Sequence, residues 1–175
     1  MPELLIRPAT PADVERLCAL ATHTFRETYR AISDPGEIED YVRDAFTPQT
    51  VGAWLREPDA RTLVALLGAD AVGYARVRRG AAPACVDARD TAELQRLYLD
   101  ACAHGRGHGA ALMRACMASA RSLGARTIWL SAYEENRRAL AFYASWGFAR
   151  VGTRPFEFGG RTYADPVFQR ALPDD

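Results

Sequence analysis

Residues 93–112 read Glu-Leu-Gln-Arg-Leu-Tyr-Leu-Asp-Ala-Cys-Ala-His-Gly-Arg-Gly-His-Gly-Ala-Ala-Leu. Glu93 to Leu99 has the apolar weight of a buried strand. Glycines at 105, 107 and 109 then make a turn, and Leu112, Met113, Cys116, Ala120 and Leu123 follow at helical spacing, with Gly124 as a C-terminal cap. Thr127-Ile128-Trp129-Leu130 is the next strand. Strand, turn, helix and strand in this order form a βαβ unit, whose helix N-terminus lies at the carboxyl edge of the sheet, where ligands bind. The glycine turn can aim several backbone N–H groups at one anion, and the helix dipole favours negative charge there. Arg106 and His108 add side-chain donors. The competing reading is a connector whose glycines serve only a tight turn; a strand before it and a helix after it favour phosphate. A P-loop is excluded, since the chain has no lysine, and a dinucleotide fingerprint fails because the glycines run GxGxG.

Working outward, Glu3–Arg7 reads as a strand, and Thr10-Pro11-Ala12-Asp13 opens a helix through Val14, Leu17, Cys18, Ala21 and Phe25. Asp34-Pro35 and Thr47-Pro48 repeat the cap-plus-proline signature before two more helices. Thr62–Leu67 and Ala71–Val77 read as a hairpin turning at Gly68-Ala69-Asp70, followed by a loop over residues 80–91. Beyond the βαβ unit come a helix over Asn136–Trp146 and two strands, 149–158 and 161–172, joined by Gly159-Gly160. The expectation is one α/β domain spanning residues 1–175: a mixed, mostly antiparallel, twisted sheet of about seven strands with helices on both faces.

Composition narrows the function. All 22 basic residues are arginine, balanced by 22 Asp and Glu, so the formal net charge is zero. That argues against nucleic acid as a partner, which needs a basic excess. No stretch approaches a membrane span of ~20 apolar residues, and Met1–Pro8 lacks the pattern of a secretory leader. Cys18, Cys85, Cys102 and Cys116 are scattered, which reads as free thiols in the cytoplasm. Three histidines without metal-ligand spacing predict no metal site. His23, among polar helix positions, reads as solvated.

A second segment carries the resemblance. Asn136-Arg137-Arg138-Ala139-Leu140-Ala141-Phe142-Tyr143-Ala144-Ser145-Trp146-Gly147-Phe148 is similar to the N-x-x-A-x-x-F-Y-x-x-x-G-F helix of the GNAT acetyltransferase superfamily. His104 to Gly109 resembles that superfamily's pyrophosphate loop, [QR]-x-x-G-x-[GA], with His104 in place of Gln or Arg and Ala101 where proline is common. The resemblance covers nearly the whole chain. More loosely, ELQRLYL, the AxxTFRETYR segment and GGRTYADPVFQRAL resemble the PaiA-like branch, which includes polyamine acetyltransferases.

The resemblance implies an acetyl-CoA-dependent N-acetyltransferase acting on a primary amine, a polyamine or another small amine. It leaves open a protein N-terminal or lysine acetyltransferase, a noncatalytic acyl-CoA-binding module, and a homodimer. It implies acetyl-CoA contacts at Leu97, Tyr98, Leu99, His104, Gly105, Arg106, Gly107, His108, Gly109, Ala110, Asn136, Arg138, Ala139 and Tyr143. Arg137, like Arg138, could reach the CoA phosphates, with a solvated surface position as the competing reading for each. Direct transfer needs an amine base, an N–H donor to the thioester oxygen and an acid for the thiolate. Tyr143 is the expected acid, a strand N–H near Leu99 the donor, and Glu93 the candidate base, with a partner to Arg96 as its competing role. Tyr29 and Glu93 are expected at the acceptor. An acidic, aromatic pocket for a polyamine would draw on Glu27, Tyr29, Glu37, Glu39, Asp40 and Tyr41, although those residues are also ordinary helix surface.

Overall fold

Short polar side chains set the helix starts in the first third. The Asp34 side chain accepts from the N–H groups of Gly36 and Glu37 ahead of α2 (Pro35–Ala45), and the Thr47 hydroxyl accepts from Thr50 ahead of α3 (Pro48–Arg56). At Thr10 the backbone N–H and the hydroxyl both donate to the Asp13 carboxylate, at 2.8 and 3.0 Å. A 3-10 turn over Pro11–Asp13 then leads into α1 (Val14–Tyr29). Asp13 is buried and takes two hydrogen bonds from Arg7, at 2.6 and 2.9 Å. Those bonds hold its carboxyl well below the usual range, against the opposing pull of burial.

The computed structural model describes residues 3–173. A seven-stranded sheet runs β1 (Leu4–Pro8), β2 (Ala60–Leu67), β3 (Asp70–Arg79), β4 (Thr91–Leu99), β5 (Thr127–Ser131), β7 (Arg161–Ala171) and β6 (Ala149–Phe158) in spatial order. Every pairing is antiparallel except β4 with β5, which bracket α4 (His108–Ser122) in the expected βαβ unit. α5 (Arg137–Ser145) precedes the closing hairpin. The mixed sheet and the helices on both faces agree with the expectation from sequence.

Two cores sandwich the sheet. On one face Leu112, Met113 and Cys116 of α4 pack against Ala75, Val77, Ala92 and Leu94 of β3 and β4, with Phe142, Tyr143 and Trp146 of α5 at the margin. On the other, Leu17, Ala21 and Phe25 of α1 join Ile38, Val42, Phe46 and Val51 over Val64 and Tyr74. No residue of α5 is fully buried, because its inner side borders an open cleft.

Two features of β4 create the site. It pairs with β5 only at Thr91↔Thr127, Ala92↔Ile128 and Glu93↔Trp129, and then the two strands part. Its register with β3 also slips by one between Arg76↔Arg96 and Val77↔Leu94, a β-bulge. Before the bulge Ala92 and Leu94 face the α4 core. After it Leu97 and Leu99 do so, while Tyr98 faces α1. A bulge flips the alternation of a strand, as a register slip would.

Candidate active site

Two hollows lie on either side of β4 and share Tyr98. The larger is a cleft of about 560 Å³ running from the glycine turn to α5. The smaller is a cavity of about 160 Å³ under α1 and α2, closed by the β6–β7 hairpin.

The cleft begins at the N-terminus of α4. Gly107 caps this helix at φ 78°, ψ 0°, and Gly105 has φ 74°, left-handed conformations natural to glycine. Gly105, Gly107, Gly109 and Ala110 line the cleft, as an anion cradle requires. His104 lines it too, its Nε2 2.8 Å from the Leu99 carbonyl oxygen. The imidazole thus ties the turn to the end of β4. The side chains of Arg106 and His108 lie outside the wall of the cleft: Arg106 is exposed, and His108 has a buried Nδ1 without a partner.

α5 supplies the far wall. Asn136 caps the helix, its Oδ1 accepting from Ala139 N at 3.2 Å, and Asn136, Arg138, Ala139 and Tyr143 all line the cleft. Leu140 and Arg137 do not, whereas Phe142 does, and so do His23, Thr24, Glu27 and Thr28 of α1. His23 is also not simply solvated, since its Nε2 lies 3.2 Å from Asp100 Oδ2. Burial pushes the Tyr143 hydroxyl pKa up, reinforced by Tyr98 and Cys116, so the phenol keeps its proton.

Backbone alternation identifies the donors in the gap between β4 and β5. Asp100 N donates to Val72 O at 2.7 Å, and Leu99 opposes Gly73, Tyr98 opposes Tyr74 and Leu97 opposes Ala75. In an antiparallel ladder successive residues turn their N–H and C=O groups to opposite sides. Asp100 and Tyr98 therefore face β3, and Leu97 and Leu99 face the gap, where pairing with β5 has already ended. His104 occupies the Leu99 carbonyl. The N–H groups of Leu97 and Leu99 point into the gap.

The cavity is lined by Glu93, Gln95, Arg96 and Tyr98 of β4, Tyr29 and Tyr41 from the helices, Tyr133 after β5, and Arg154, Tyr163 and Asp165 from the hairpin. Glu93 is buried, but its partner is not Arg96. Its Oε2 accepts from Arg78 Nε at 2.8 Å and its Oε1 from Arg154 Nη1 at 3.3 Å. Both of its carboxylate oxygens are thus engaged by guanidinium groups. Asp165 contrasts with it: buried, without a hydrogen bond, and with its carboxyl pKa raised by burial despite the opposing pull of Arg154. The acidic polyamine pocket does not assemble. Glu39 pairs with Arg26 at 2.6 Å and Asp40 with Arg43 at 2.9 Å on the exposed surface, and Glu27 faces the cleft; Tyr29 and Tyr41 alone of that set reach the cavity. Among the described residues no cluster of His, Cys, Asp and Glu could hold a metal, and no helix is long and apolar enough to cross a membrane.

Comparison with known proteins gives the family and the fold. The acetyltransferase (GNAT) family pattern matches residues 19–148. An uncharacterised N-acetyltransferase of Mycobacterium bovis is 36% identical over 160 residues, covering 91% of this chain and 98% of that protein. Among solved structures, a PaiA N-acetyltransferase from Thermoplasma acidophilum in complex with coenzyme A superposes with a TM-score of 0.82 at 21% identity, covering 97% of this chain and 99% of that one. YncA of Salmonella typhimurium, an acetyltransferase solved with acetyl-CoA, gives 0.66 at 18% identity, covering 99% and 96%.

Proposed function

The chain belongs to the acetyltransferase (GNAT) family, and from that premise we propose that it moves the acetyl group of acetyl-CoA directly to a small primary amine. The observation that carries this reading is the meeting of cleft and cavity at Tyr98, beside the gap into which the Leu97 and Leu99 N–H groups point.

The residues divide the work. Gly105, Gly107 and Gly109 with the α4 N-terminus hold the CoA pyrophosphate, and Asn136, Arg138, Ala139 and Phe142 flank the arm that follows. The N–H of Leu97 or Leu99 donates to the thioester oxygen as it gains charge. An amine of pKa about 10.4 is almost wholly protonated at pH 7, so it must lose a proton before attack. Asp165 takes that proton in place of Glu93, because its carboxylate accepts no side-chain hydrogen bond while both oxygens of Glu93 do, and burial raises its pKa despite Arg154 beside it. Tyr143 gives its proton to the leaving thiolate and takes one back from the attacking nitrogen, which sheds its second proton as the amide forms.

A cavity of about 160 Å³ suits a small acceptor better than a protein terminus or lysine. The four cysteines are free, which supports a reducing compartment, the cytoplasm. Free-thiol release from acetyl-CoA across a panel of amines tests the proposal. Thiol release that depends on an added amine is expected; CoA binding without turnover on any amine would make the protein a binding module.

A further inference from the structure

Arg96 is a charge without a counterion. It lines the cavity and is largely enclosed, its guanidinium carbon 5.0 Å from the ring centroids of both Phe46 and Trp54. Its hydrogen bond is from Nη2 to the Tyr41 hydroxyl, at 3.1 Å. Its Nε is buried and has no partner, and among the described residues no carboxylate reaches it. An enclosed cation is normally paired, because removing it from water is costly. Aromatic faces attract it but accept none of its directed N–H bonds.

The other charges of the wall are already matched. Glu93 lies between Arg78 and Arg154, and Arg154 also faces Asp165. Of the charged side chains that line the cavity, Arg96 alone has no opposite charge beside it. Asp165, without a hydrogen bond, suits an ammonium group. The cavity therefore offers a cation and a carboxylate at separate points of one small chamber.

We infer that the acceptor is an amine that also bears a carboxylate, an amino acid or a close analogue, with its acid group on the Arg96 guanidinium and its amine toward Asp165. The inference rests on the acetyl-transfer reading above and adds the acceptor's class. The planar guanidinium fork suits a carboxylate, and Tyr41 fixes its orientation. The unpaired guanidinium disfavours a polyamine, whose second amine would meet it.

The full-length protein with CoA present is melted with millimolar protein amino acids, β-alanine, γ-aminobutyrate, the amide of each, and spermidine. The same panel is assayed with acetyl-CoA for thiol release. At least one carboxylate should stabilise the protein and be acetylated, with its amide about 30-fold weaker or worse, as for loss of an enclosed ion pair. Arg96→Gln should abolish the preference while the melting response to CoA alone remains. If that variant does not fold, Tyr41→Phe, which frees the guanidinium, should narrow the preference. Amides or spermidine matching the carboxylates, no stabilisation by any carboxylate, or a preference that survives Arg96→Gln would each overturn the inference. If CoA binds but no amine of any kind is acetylated, the acetyl-transfer reading fails, and the binding arm still decides the acceptor class.

Discussion

Adding one methyl group at Gly107 or at Gly109 should affect folding with opposite signs and CoA binding with the same sign. At Gly107 a Cβ meets no heavy atom within 4 Å, but φ is +78°, so the penalty is backbone strain alone. Left-handed backbone costs an L-residue about 1–2 kcal/mol. For a chain of this size each kcal/mol moves the melting point by ~2–4 °C, so Gly107→Ala should lower it by roughly 2–8 °C. At Gly109, in the first turn of α4, the new Cβ would lie 3.7 and 3.8 Å from Phe142 ring carbons, ordinary contact distances. Alanine is a better helix former than glycine by up to ~1 kcal/mol, so Gly109→Ala should melt at or slightly above wild type.

Both methyls sit where the pyrophosphate must approach the backbone. CoA at a hundred times its dissociation constant stabilises by ~2.7 kcal/mol, and a tenfold weaker variant at the same concentration retains ~1.4 kcal/mol. The CoA-dependent rise in melting point should therefore fall by about half or more in both variants. Gly109→Ala is the decisive one, because its fold is not weakened. A full CoA response in a Gly109→Ala protein that melts like wild type would refute the placement of the phosphates at this turn.

Tyr143→Phe keeps the ring and removes the proton donor, so single-turnover acetylation should fall by ~10²–10⁴-fold with CoA affinity nearly intact; an unchanged rate would make Tyr143 a packing residue. Asp165→Asn should slow acetylation at neutral pH, with the loss shrinking as pH rises and the amine arrives already neutral; a loss constant across pH would remove it as the base. The same variant bears on stability. Burial raises the folded Asp165 pKa above its unfolded value, so the wild type loses stability as pH climbs from the unfolded pKa through the folded one; Asp165→Asn should remove that loss and melt higher near neutral pH without ligand. Glu93→Gln leaves Arg78 and Arg154 facing a neutral amide, so it should lower stability and reduce turnover evenly across pH; a loss that vanishes at high pH would restore Glu93 as the base.

The elements most legible in the sequence were those governed by local chemistry. Asp34 and Thr47 cap where they stand beside prolines, and the glycines at 105 and 107 announce a turn whose conformation few other residues adopt. Asn136 to Phe148 was tied to the cofactor by its resemblance to a family helix, and Asn136, Arg138, Ala139, Phe142 and Tyr143 line the cleft. What the sequence concealed depends on partners far along the chain. Glu93 takes its arginines from positions 78 and 154, and Asp165 reaches the cavity only because β7 lies beside β5. Of the two roles open to the acidic run on α2, ordinary helix surface is the one seen for Asp40 and Glu39, which pair with Arg43 and Arg26 at the surface.

The bulge in β4 links these observations. A regular strand would have kept Leu97 on the face of Glu93 and put Tyr98 among the residues under α4. The extra residue instead lets Gln95 and Arg96 both line the acceptor cavity, and it returns Leu97 and Leu99 to the α4 side. Just beyond it β5 has parted from β4, so the backbone that follows carries unpaired N–H groups next to Tyr98. One irregular position thus sets three properties together: which arginine faces the acceptor, which amides face the thioester, and where the two hollows meet. Bulges cannot be read from alternation within one strand, because they are defined by the register of the neighbour. The run Glu93 to Leu99 therefore identified the strand on which the chemistry takes place without disclosing which of its side chains reach the acceptor.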